Sequence, residues 1–156
     1  DAGNSANKSL GGMSADASFM KTLAAGSIAE IEAGKLAKSK ASSKEVKEFA
    51  EKMVNDHTKN SDQLKALAKQ KQVDLPTTTD ADHTAEKNKM EKLSGAGFDA
   101  EYMQGQVKDH QQTVQLLQTE INSGQDAKVK AFAKQTLTAV QHHLEMAQQL
   151  ESKVAH

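Results

Sequence analysis

One proline in 156 residues, at position 76, is the feature that most constrains this chain. Proline lacks the backbone N–H of a helical turn and its ring clashes with the turn before it, so it is the strongest helix breaker. On both sides of Pro76 long stretches run without one, filled with Ala, Lys, Gln, Glu and Leu, all good helix formers. The expected class is all-α. Four Phe, one Tyr and no Trp leave Ala, Val, Leu and Met to build the core. The length suits one domain with a single core.

Four long helices are expected, over about residues 16–41, 44–72, 98–122 and 126–153, with Ser14 or Asp16 as the cap of the first. Residues 1–15 read as a flexible polar tail and 16–153 as the domain. A crossover over 73–97 carries the VDLPTTTD turn and a short helix near 83–93, closed by Ser94-Gly95-Ala96-Gly97. A shift of 83 positions lays Val46-Lys47-Glu48-Phe49-Ala50 on Val129-Lys130-Ala131-Phe132-Ala133, Phe19 on Tyr102 and Leu67 on Leu150. The chain therefore reads as two related αα-hairpins joined by one long connection, the ferritin-like form of a four-helix bundle in up-down-down-up order.

The core-facing stripes follow from spacings of three and four residues. The first helix gives Phe19, Leu23, Gly26, Glu30, Ala33 and Ala37, the second Val46, Ala50, Met53, His57, Asn60, Leu64 and Leu67. The third gives Met103, Val107, His110, Val114, Leu117 and Ile121, the fourth Val129, Ala133, Thr136, Val140, His143, Ala147 and Leu150. Each stripe carries one side chain of metal-ligand type: Glu30, His57, His110 and His143. At about 1.5 Å of rise per residue all four fall near mid-bundle. Glu32, Asp56 and His142 lie off the stripes; His83 belongs to the crossover and His156 to the terminus.

A buried carboxylate and buried imidazoles need partners. Three nitrogens and one oxygen suit a mononuclear divalent transition-metal site, with zinc, copper or iron favoured and manganese admitted by the carboxylate. The same four side chains can also satisfy one another in a metal-free network that fixes helix register. A bridged di-iron centre would require Glu-x-x-His on two helices, but Val54, Val107 and Val140 stand three residues before the histidines. Met53, Met103 and Met146 fall near the histidines along their helices and read first as core gap-fillers. No catalytic motif is complete, so an enzyme is not the expectation.

All 20 basic residues are Lys, and 21 acidic residues nearly cancel them. Without the Arg fork, specific nucleic-acid reading is disfavoured. No apolar run approaches the roughly 20 residues of a membrane span. The small, polar opening DAGNSANKSLGGMSADAS resembles the start of a mature secreted protein after signal-peptide removal, so an extracytoplasmic location is expected, in the periplasm or at the outer membrane. An envelope protein or a second copy of the chain is the expected macromolecular partner, and a helical envelope module with a structural Glu/His cluster is the alternative to a metal-binding protein.

Glu30-x-x-x-Gly34-x-x-Ala37, Met53-x-x-Asp56-His57, the segment around Phe98, Asp99, Tyr102 and His110, and the close around His143 resemble a widespread bacterial family of unknown function. The resemblance covers about residues 19–150. It implies a ferritin-like bundle and an outer-membrane or secreted location, and by analogy a metal site.

Overall fold

The computed structural model describes the backbone of residues 2–154 and the side chains from residue 15 onward. Five helices account for it: α1 Ala2–Lys40, α2 Lys44–Lys71, α3 Ala81–Glu91, α4 Gly95–Ser123 and α5 Ala127–Val154. No strand occurs among the described residues. Within α1 the helix reaches back to Ala2, across the segment expected to be a tail, and Asp16 lies inside it rather than at its cap. Ser14, the other cap expected, lies outside the described side chains, as does His156.

Local chemistry sets the other ends. Ser43 caps α2, its hydroxyl accepting from Val46 N, and Gln72 closes that helix in the left-handed region at φ 57°. Asp80 caps α3 by accepting from His83 N at 2.8 Å. The Ser94-Gly95-Ala96-Gly97 segment does not end the crossover as a loop. Ser94 takes the N-cap position of α4 and Gly95, at φ 60°, opens the helix in a conformation that glycine adopts without strain.

α1 packs on α2 and α4 on α5 as two hairpins, with α1 facing α4 and α2 facing α5. The end contacts fix the directions. The α1–α2 turn meets the start of α4 through Asp99, and Asp16 near the start of the described α1 side chains meets the α4–α5 turn. Lys153 of α5 pairs with Glu45 of α2 at 3.3 Å, and Lys71 of α2 with Asp126 at 2.6 Å. Every adjacent pair is therefore antiparallel, which makes the order up-down-down-up. The crossover carries α3 across the α1–α4 face, where Met90 is buried and Lys40 donates from its ammonium to the Glu91 and Leu93 carbonyls.

The core is divided into two apolar clusters. One holds Phe19, Met20, Leu23, Leu64, Leu117, Val129 and Phe132, the other Val46, Phe49, Met53, Met90, Phe98, Tyr102 and Met103. Between them lie the buried polar residues Ser27, Glu30, His57, Gln106, His110, Thr136 and His143. Gly34 lets α1 approach α2 closely, since a Cβ there would stand 2.7 Å from Val54 Cγ2 and 3.1 Å from the Ala50 carbonyl oxygen.

Candidate metal centre

Three helices contribute one imidazole each to the polar layer: His57 from α2, His110 from α4 and His143 from α5. All three are buried, and their ring centroids stand 5.6–5.7 Å apart. One ring nitrogen of each lies within 4.8 Å of the other two.

The hydrogen bonds of His110 and His143 decide which of their nitrogens keeps a lone pair. His110 Nδ1 lies 2.8 Å from the Gln106 carbonyl oxygen. A carbonyl only accepts, so Nδ1 carries the hydrogen and Nε2 keeps its lone pair. His143 Nε2 lies 2.8 Å from Asp56 Oδ2, so there Nε2 donates and Nδ1 keeps its lone pair. The nitrogens left buried without a partner are His57 Nε2, His110 Nε2 and His143 Nδ1. A ligating histidine characteristically holds its second nitrogen on a carbonyl or carboxylate in this way.

Burial keeps these rings neutral. It lowers His57 to about 3, with the neighbouring His110 and His143 adding to the shift. Burial likewise lowers His110 to about 4 against its bond to Gln106, and lowers His143 despite its Asp56 partner. Burial alone would raise Asp56, but His143 and Lys52 bring it below its ordinary value. Near neutral pH the layer therefore presents three basic nitrogens with no proton to displace. Tetrahedral coordination at the usual zinc–nitrogen distance separates nitrogens by about 3.3 Å, so a bound ion would draw the rings inward.

Glu30 is buried as expected, and it lies outside the group of three histidines whose ring nitrogens fall within 4.8 Å of one another. Its carboxyl sits beside Gln106 and Asp109, and burial with the Asp109 charge raises it to about 8. A protonated acid is a poor ligand, and Glu30 Oε2 has no partner. Glu30 belongs to a second polar chain that the sequence reading missed. Asp109 forms an ion pair with His83 Nε2 at 3.2 Å, and His83 Nδ1 bonds Asp80 at 2.7 Å. The Asp109 bond comes first among the causes that raise His83 to about 9. Asp56 and Asp109, each one residue before a triad histidine, thus act on other side chains: Asp56 holds His143, and Asp109 ties α3 to the bundle through His83.

His142 is exposed beside buried His143, and Met53 and Met103 are wholly buried in the apolar cluster, in keeping with a packing role. No described helix is long and apolar enough to cross a membrane.

Solved structures share the fold at low identity. A DUF305 fragment from Deinococcus radiodurans superposes with a TM-score of 0.79 at 10% identity, covering 89% of this chain and 96% of its own. A candidate secreted DUF305 protein of Streptomyces coelicolor gives 0.76 at 16% identity, covering 90% and 92%. CopM in its Cu(II)-bound form gives 0.74 at 15% identity, covering 88% and 96%. No curated protein matches the chain. The family match runs through both hairpins, over residues 2–150, and the chain belongs to the family described as Domain of unknown function (DUF4142).

Proposed function

We propose that this protein is an extracytoplasmic metal-binding protein that holds one divalent transition-metal ion on His57, His110 and His143, in a role of metal buffering or stress protection. The observation that carries this reading is a group of three buried histidines from three helices, each with one ring nitrogen within 4.8 Å of the other two and each with one buried ring nitrogen unpartnered, two of them with the other nitrogen on an acceptor. A metal-free network would not leave three buried acceptors unpaired without loss, since each costs about 1–3 kcal/mol. Imidazole ligation suits copper, zinc and iron. The copper-bound state of CopM, which shares the fold, favours copper among them, and the secreted protein among the fold neighbours supports the location. Three protein ligands leave a coordination position open, which suits an ion that must be released again.

The test is elemental analysis of tag-free protein purified without chelator, beside a His57→Ala, His110→Ala double variant. The reading expects near-stoichiometric metal in the wild type, or after incubation with copper or zinc, and none in the variant. Wild-type protein that stays empty after incubation with copper, zinc, iron and manganese would overturn it, and would return the cluster to a structural role in an envelope module.

A further inference from the structure

A cleft of about 590 Å³ opens between α1 and α4 beneath α3. The small residues Gly26 and Ser27 of α1 and Gly105 of α4 line it, and a Cβ at Gly105 would meet nothing within 4 Å. His57 of α2 also lines it, whereas His110 and His143 do not. Glu30 lines the same cleft, with its Oε2 buried and unpartnered. Asp80, Asp82, Glu86, Glu101 and Asp109 add carboxyl groups to the walls, against Lys108 and the His83 imidazolium, which pairs with Asp80 and Asp109.

We propose that this cleft is the route by which the metal ion enters and leaves the three-histidine site, with Glu30 as the way-station between the acidic mouth and His57. The inference rests on the function proposed above. Its physical basis is threefold. A cleft in which one sign of charge predominates, between low-dielectric walls, concentrates the opposite ion, and here five carboxyl groups face two cations. The cleft reaches one member of the triad, so an ion arriving along it meets His57 before His110 and His143. Glu30 is held protonated near neutral pH by burial, so an arriving cation must displace that proton before the unpaired Oε2 serves as an oxygen ligand on the path. α3 forms the roof and is held there by His83 on Asp109 and by Lys40 on the Glu91 and Leu93 carbonyls.

The experiment follows Cu(II) and Zn(II) binding and chelator-driven release by stopped flow in the full chain, with equilibrium affinity measured in parallel. Gly105→Leu places a side chain in open space on the cleft wall. It is expected to slow binding and release together, each by about tenfold or more, with affinity held within about twofold. Glu30→Gln is expected to slow both in the same sense. Wild-type binding should slow as ionic strength rises, and a Glu86→Gln, Glu101→Gln variant should lose most of that salt dependence. Thermal melts of each variant show that the fold is retained. Unchanged kinetics in Gly105→Leu, or a Glu30→Gln variant with weaker affinity and an unchanged association rate, would overturn the route. Failure of the wild type to bind either metal would instead strike the proposed function itself.

Discussion

Replacing Asp99 with Ala tests how the two hairpins are locked together. Asp99 is 3% exposed, and its carboxylate accepts from Ser42 N at 3.0 Å, Ser42 Oγ at 2.8 Å and Ser43 N at 2.9 Å. It sits on α4 but caps the turn between α1 and α2. Loss of a capping acceptor costs about 0.5–2 kcal/mol, and bonds to a charged group are the stronger kind. Water can replace part of the loss because Ser42 itself is exposed. The expected cost is therefore about 1.5–3 kcal/mol. For a chain of this length that is a fall in Tm of roughly 4–10 °C. Asp99→Asn keeps one acceptor oxygen and should lose about half as much. Asp16→Ala removes acceptance from two backbone N–H groups, Gln125 at 3.1 Å and Asp126 at 2.9 Å, and should cost less than Asp99→Ala. Urea denaturation followed by circular dichroism measures each value. A combined Asp99→Ala, Ser42→Ala variant isolates the hydroxyl bond by a double-mutant cycle. An Asp99→Ala protein within about 0.5 kcal/mol of wild type, the range of ordinary surface changes, would refute the locking argument.

Other measurements probe the centre and its scaffold. With the histidines of the metal-free protein lowered by burial, their contribution to stability falls as pH falls below 6.5. By pH 5 that contribution should be about 2 kcal/mol smaller for each of His57 and His110, opposed by Glu30 and Glu120, which gain stability as pH falls from 8. A His110→Gln variant whose urea midpoint changes between pH 7 and 5 as the wild type's does would contradict the burial argument. At a free metal concentration 100 times its dissociation constant, the wild type should gain about 2.7 kcal/mol, His142→Ala should gain as much, and His143→Ala should not. Glu120 is raised to about 8 by burial and then by its bond with Asp16. Its stabilisation is full below pH 4.5 and lost as pH rises through 8, so Glu120→Gln should remove an alkaline loss of stability that the wild type shows. Gly34→Ala should destabilise by about 1–3 kcal/mol through overpacking. Gly26→Ala, where a Cβ meets nothing within 4 Å, should be neutral or stabilising in the same melts.

The histidine triad was legible because azimuth around a helix is written in spacing: His57, His110 and His143 repeat with Val, Leu and Met partners, whereas His142 does not. Depth along the axis and reach across a groove are not written there. Glu30 was rightly placed on a buried face, but which buried groups it meets depends on the relative slide of α1 and α4, and it meets Asp109 and Gln106 rather than the histidines. Asp56 points well away from the stripe centre, and only the packed position of α5 brings His143 within 2.8 Å of it. His83 lay in a crossover whose course no periodicity fixes, so its grip on Asp109 could not be read. The hairpin division and the long connection followed from the breakers and the repeat. The start of α1 did not, because no proline interrupts residues 2–40 and polarity alone does not end a helix.

The two capping aspartates, Asp16 and Asp99, stand 83 positions apart, and the pairs that they hold, Gln125–Asp126 and Ser42–Ser43, are related by the same shift. Each half of the chain thus completes the turn of the other. A single hairpin carrying one such aspartate could satisfy the same contacts by pairing with its own copy about a twofold axis, so the scaffold has the form of a fused symmetric dimer. The histidines do not obey the shift: His57 corresponds to Val140, His143 to Asn60 and His110 to Ser27. Off its axis, a twofold assembly supplies side chains only in even numbers. Three imidazoles around one point require the halves to differ, and a single covalent chain is what permits that difference.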